Sequence, residues 1–140
     1  MSEWTAEERE ELERIASEVE RAVEHSLMLR VLDKSVVNKL AEKFGFKPEE
    51  AAVFVEPELP EGQPRPDIVL AAGEMLFVVE ITNRAGTAAA EKLLMASETI
   101  RRIFKAERVV PVLAYTGRPL APDRASLERL ERLGVVLLQL

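Results

Sequence analysis

Thr5-Ala6-Glu7-Glu8 has the spacing of a capping box, and after it Leu12, Ile15, Val19, Val23 and Leu27 recur at steps of three and four. A hydroxyl that caps the first turn, followed by an apolar stripe of that period, predicts an amphipathic helix from residue 6 to about 30. Val36, Val37, Leu40, Ala41 and Phe44 form a second set, read as a separate helix over 35–44. Asp33 or Ser35 would cap it and Gly45 would stop it. From residue 51 the period changes. Residues 51–55 read as a short strand, and residues 57–66 as an irregular loop with four prolines and a glycine.

Residues 67–83, DIVLAAGEMLFVVEITN, predict a hairpin turning at Ala72-Gly73-Glu74, since glycine accepts the positive φ that hairpin turns need. Its arms are apolar at successive positions, as in strands covered on both faces. A carboxylate in such a strand is costly unless it is paired or holds a metal. If residues 71 and 74 pair across the turn, Asp67 stands opposite Val78 and diagonal to Glu80. Side chains alternate along a strand, so 67, 78, 80 and 82 then share one face. Two acids converge there, as a divalent-metal site requires.

A long helix is expected from Gly86-Thr87 to about Ala106, with Leu93, Leu94, Ser97, Ile100 and Phe104 on one face. Residues 109–115 read as a buried strand. A helix follows from Pro122, with Leu127, Leu130 and Leu133, and ends at Gly134 before a last strand over 135–138. A strand, a helix of some twenty residues and another strand form a right-handed crossover, so 109–115 should run parallel to 74–82.

In motif and element order the chain resembles the PD-(D/E)XK nuclease superfamily. The match is Pro66-Asp67 on one strand and Glu80-Ile81-Thr82 on the next, within a helix–three strands–helix–strand core. The resemblance implies an α/β fold with a restriction-endonuclease-like αβββαβ core, a mixed central sheet and flanking helices. It spans about residues 31–140 as a nuclease-like domain, with 1–30 as an N-terminal amphipathic helix outside it. The likeness is to small archaeal and viral members. It further implies that Asp67 and Glu80 hold Mg²⁺ or Mn²⁺, with water as the nucleophile for phosphodiester cleavage. The superfamily's lysine position holds Thr82, which carries no positive charge. Lys92, on the following helix, is a candidate for a migrated cation.

Composition adds limits. At 140 residues with 47% hydrophobic and 31% charged positions, the chain has the size and balance of one globular domain. No apolar run approaches the roughly 20 residues of a membrane-spanning helix. The acidic start MSEWTAEERE is unlike a secretory signal, and there are no cysteines, so a cytoplasmic location is expected. Two Asn and two Gln against many Glu and Arg lean toward a thermophile. The lone His25 cannot build a zinc site without cysteines or a second histidine. Ser26 and Ser97 have no histidine in pattern for nucleophilic chemistry. The superfamily resemblance also implies a further acid on the helix before the first strand; Asp33 and Glu24 are the only acids near that place and neither position fits well, while Asn38 takes an inward-looking slot but is a poor substitute for an anion.

The net charge of −6 opposes strong nucleic-acid binding, which depends on Lys and Arg. Cations are nonetheless clustered, as Arg101, Arg102, Lys105 and Arg108 and as Lys34, Lys39, Lys43 and Lys47. Arg84, Arg101, Arg102 and Lys105 are the candidate nucleic-acid contacts. Three functions stay open: a metal-dependent nuclease in DNA processing, an inactive nuclease-fold protein that binds DNA or metal, and an assembly module. The stripe on the first helix needs an apolar partner. A second copy is expected, making a dimer.

Overall fold

The computed structural model describes residues 4–60, 65–82, 87–116 and 124–140, apart from a few helix side chains at 21, 22, 24–26, 28, 87, 88, 124, 126 and 127. Gly86 and Pro122, expected to open helices, and the side chains of Glu24, His25 and Ser26 lie outside the described residues.

The first helix, α1, runs unbroken from Ala6 to Phe44. Thr5 caps it by accepting a hydrogen bond from the Glu8 amide at 3.2 Å. Gly45 ends it in the left-handed conformation at φ 79°, its N–H donating to the Ala41 carbonyl. The expected break between two helices at 30–35 is therefore wrong. No Gly or Pro interrupts this stretch, so nothing in the backbone requires an end. What changes near residue 30 is the phase of the apolar stripe. Leu12, Ile15, Val19, Val23, Leu27 and Val31 are exposed, whereas Leu29, Val36, Val37, Leu40 and Ala41 are buried. One helix passes from an exposed apolar stripe to a core-packed one along its length. Asn38, expected to look inward, is exposed.

A single 3₁₀ turn at Pro48–Glu50 leads to β1 (Ala52–Val55). Then come β2 (Ile68–Ala72), β3 (Met75–Thr82), α2 (Thr87–Phe104), β4 (Arg108–Tyr115), α3 (Arg124–Arg132) and β5 (Val136–Gln139). The strands form one sheet in the order β1-β2-β3-β4-β5. β1, β2 and β3 are antiparallel neighbours, while β3, β4 and β5 are parallel, as the crossover through α2 requires. The fold is the expected mixed sheet with an αβββαβ core.

The hairpin register differs by a step from expectation. Ala72 pairs with Met75 and Ile68 with Val79, so the turn is the two residues Gly73-Glu74. Gly73 has φ 60° while Glu74 is not among the positive-φ residues, the pattern of a type II′ turn. The shift is by an even number of residues, so the facing of every side chain is preserved.

The sheet is covered on both faces. Phe77, Val79 and Ile81 of β3 join Leu29, Val36 and Leu40 of α1 in one core cluster, with Phe44 and Phe46 against Phe77. Val78 of β3 and Val69 of β2 join Ala90, Leu93, Ala96 and Ile100 of α2 and Leu130 of α3 in the other. Among the described residues, the buried polar side chains are Asp67, Glu80, Ser97 and Thr99. Ser97 and Thr99 bond back to the Leu93 and Met95 carbonyls of their own helix. The two acids bond elsewhere.

Candidate active site

Pro66 is the local cause of the arrangement around Asp67. Continuing the β2–β3 register from Ile68↔Val79 sets Asp67 against Glu80 and Pro66 against Ile81. Proline has no N–H to extend the ladder, so regular pairing stops there. The Asp67 carboxylate takes over: its Oδ2 accepts the Ile81 N–H at 2.7 Å in a buried site. The Asp67 carbonyl accepts from the Glu56 amide at 2.8 Å, at the end of β1, where Glu56 has φ 45°. Asp67 is thus held from both neighbouring strands, and its carboxylate orientation is fixed by backbone.

Glu80 lies on the α2 face of β3, two residues after Val78, and is buried. From α2, Lys92 reaches across and its Nζ donates to Glu80 Oε1 at 3.0 Å. The Lys92 side chain is 48% exposed and that of Glu80 is 10% exposed, so the cation sits at the mouth and the acid inside. Directly opposed residues on neighbouring antiparallel strands have Cβ atoms roughly 4.5–5.5 Å apart. With the register continued one step past Ile68↔Val79, Asp67 falls level with Glu80 rather than with Val78, at the end of the sheet where β3 and β4 finish. That end is where open α/β sheets bind ligands.

Thr82 is half-buried at the close of β3, in register with Tyr115, and its carbonyl accepts from the Thr116 amide at 3.2 Å. Alternation puts it on the Glu80 face. Arg84 lies outside the described residues. Arg101 is exposed and bonded to Glu98 at 3.0 Å one helical turn back. Arg102 is exposed and lines a shallow cavity of about 260 Å³ with Pro60, Thr99 and Ile103. Lys105 is exposed just past α2, with φ 47°. Ten residues of helix separate Lys92 from Arg102, roughly 15 Å at 1.5 Å per residue.

Among the described residues, no group of three or more His, Cys, Asp or Glu side chains could hold a metal. The donor set at the acid pair is two carboxylates. This suits Mg²⁺, which is commonly held by one or two carboxylates with water and substrate phosphate completing its shell. It does not suit a cation that needs an all-protein cage. Of the residues singled out in the sequence, Asp67 and Glu80 are buried and Lys92 is bonded to Glu80. Sequence reasoning missed the Ile81 and Glu56 amides that hold Asp67, although Pro66 was the available signal that the ladder would end there.

The overall fold is nuclease-like. A repair endonuclease from Pyrococcus abyssi superposes with a TM-score of 0.53 at 16% identity, over 75% of this chain and 45% of that one. SfsA from Pyrococcus furiosus, solved in complex with Ca²⁺, gives a TM-score of 0.44 at 12% identity, over 80% of this chain and 55% of that one. The chain thus spans less than half the length of the repair endonuclease. No family model matches the sequence, and no curated protein matches it.

Proposed function

We propose that this chain is a PD-(D/E)XK-type nuclease domain that processes DNA, with Asp67 and Glu80 as ligands of Mg²⁺ or Mn²⁺. The observation that carries this reading is the Glu80–Lys92 pair beside Asp67. A buried acid on a central strand of a nuclease-like sheet is matched by a half-exposed lysine on the next helix, which compensates for the neutral Thr82.

Bound between the two carboxylates, the metal would supply a Lewis acid for phosphate oxygen and a water of lowered pKa. The chain's own residues do the rest. The Ile81 amide restrains the Asp67 carboxylate, and the Glu56 amide holds the Asp67 backbone through its carbonyl. Lys92 holds a positive charge at the mouth, where an approaching phosphate or its attacking water would meet it. Arg84, Arg101, Arg102 and Lys105 are the proposed contacts to the rest of the strand.

A second reading is favoured by the same ion pair. Lys92 already gives Glu80 a counter-charge, so the fold is electrostatically satisfied without metal, as an inactive DNA-binding or assembly module would be. Cleavage and gel-shift assays on duplex, branched and single-stranded DNA, with Mg²⁺ or Mn²⁺, separate the two. The nuclease reading expects metal-dependent cutting that Glu80→Gln abolishes while the fold persists. Retained binding without any cutting, in wild type and in Thr82→Lys, selects the inactive module.

A further inference from the structure

We propose that α1 pairs antiparallel with α1 of a second copy of this chain. The contact runs through Leu12, Ile15, Val19, Val23, Leu27 and Val31. All six side chains are exposed, from 46% at Leu12 to 76% at Val31. Every described residue from Trp4 to Glu20 is also exposed, so this half of the helix stands clear of its own sheet. An uncovered apolar stripe of this length marks an interaction surface, and a lone amphipathic helix gets most of its stability from a packed face.

The occupant is identified by the stripe's own symmetry. Folded about a two-fold axis near residues 21–22, Leu12 meets Val31, Ile15 meets Leu27, and Val19 meets Val23. Each apolar position then faces another, the self-complementary condition of a two-fold interface. Parallel pairing would also match the stripe with itself, and charge decides between the two. Residues 4–17 hold five Glu against two Arg, whereas residues 25–38, which this two-fold brings level with them, hold one Arg and one Lys against one Asp. Parallel pairing would set the acidic half against its copy. Antiparallel pairing sets it against the weakly cationic stretch instead, bringing Glu13 level with Arg30 and Glu8 level with Lys34. These four side chains are exposed or half-exposed and available. Val31, two residues from buried Leu29, faces away from the domain's own core, so the second helix has room there.

The sequence contains no cysteine, which makes the arrangement readable by cross-linking. Leu12→Cys and Val31→Cys chains are prepared separately, then mixed and oxidised. The mixture should yield a disulfide-linked dimer and neither variant alone should do so. Sedimentation of the wild type should give a dimer whose dissociation constant rises several-fold with salt, since the flanking pairs are exposed. Val19→Asp with Val23→Asp should give a monomer that keeps a cooperative unfolding transition for the sheet domain while losing helical far-UV signal from the unpaired half of α1. A monomeric wild type at 100 µM (about the concentration of a weak dimer) overturns the proposal. Rapid self-cross-linking of Leu12→Cys overturns its antiparallel sense. A dimer that survives the double substitution overturns its surface.

Discussion

Lys92 on α2 meets Glu80 on β3 with Nζ 3.0 Å from Oε1, joining a helix to the central strand through charge. The two residues are twelve apart, across the crossover from β3 into α2. Removing the lysine leaves a carboxylate enclosed in the protein. Lys92→Met should therefore lower stability by about 1–3 kcal/mol, below the value for fully buried pairs because the lysine is half-exposed. If Glu80 can ligate metal, 10 mM Mg²⁺ (a concentration of about 100 times a 0.1 mM Kd) should raise the melting temperature of this variant more than that of wild type. Calorimetry with and without Mg²⁺ checks this, and equal shifts would count against Glu80 as a ligand.

Asp67 has two roles that substitution separates. As an acceptor for the Ile81 N–H it supports the strand end, and as a carboxylate it would hold metal. Asp67→Asn keeps an oxygen for the amide and removes the charge. Asp67→Ala strands a buried N–H, at about 1–3 kcal/mol. Urea denaturation should find Asn close to wild type and Ala clearly weaker, while both lose metal-dependent cutting. An Asn variant that cuts normally would remove Asp67 from the site.

Much of this was legible because hairpin parity is robust. Asp67 and Glu80 stay on one face whether residues 71 and 74 pair or 72 and 75 do, so the even shift in register left their shared face unchanged. The β3–α2–β4 crossover was legible for a similar reason: helix length and strand hydrophobicity leave one handed solution. The α1 boundary was not. A change in stripe phase near residue 30 looks the same in sequence whether the helix ends or turns a new face to a new partner. Only the absence of Gly and Pro between 30 and 35 pointed to continuity. The pairing of Lys92 with Glu80 depends on how far α2 is rotated over the sheet, which Ala90, Leu93 and Ala96 fix by burial.

Thr82 shares the Glu80 face and stands where the superfamily resemblance expects lysine. Thr82→Lys would restore an ammonium beside the acid pair. It should raise metal-dependent cleavage by about tenfold, a modest share of what one well-placed charge supplies to a developing anion. The double variant Thr82→Lys, Glu80→Gln should cut no DNA. Gel analysis of end-labelled duplex over a Mg²⁺ series checks both. A gain that persists with Gln at position 80 would place the chemistry elsewhere.

Arg101 and Arg102 are neighbours on α2 but should differ in DNA binding. Arg101 is engaged with Glu98 at 3.0 Å, so part of its charge is already balanced. Arg102 and Lys105 are exposed near the end of the same helix. Their separation from Lys92, roughly 15 Å for Arg102, corresponds to about four nucleotides at 3.4 Å per step along one strand. A strand with one phosphate at the acid pair could therefore reach them with another. Arg102→Ala with Lys105→Ala should weaken binding uniformly across sequences and reduce the slope of log K against log salt by about 1–2. Arg101→Ala should change it less. Fluorescence anisotropy with a labelled duplex at 50–200 mM salt, roughly the range over which phosphate contacts dominate, measures both slopes. Equal slopes for all variants would exclude this end of α2 from the DNA path.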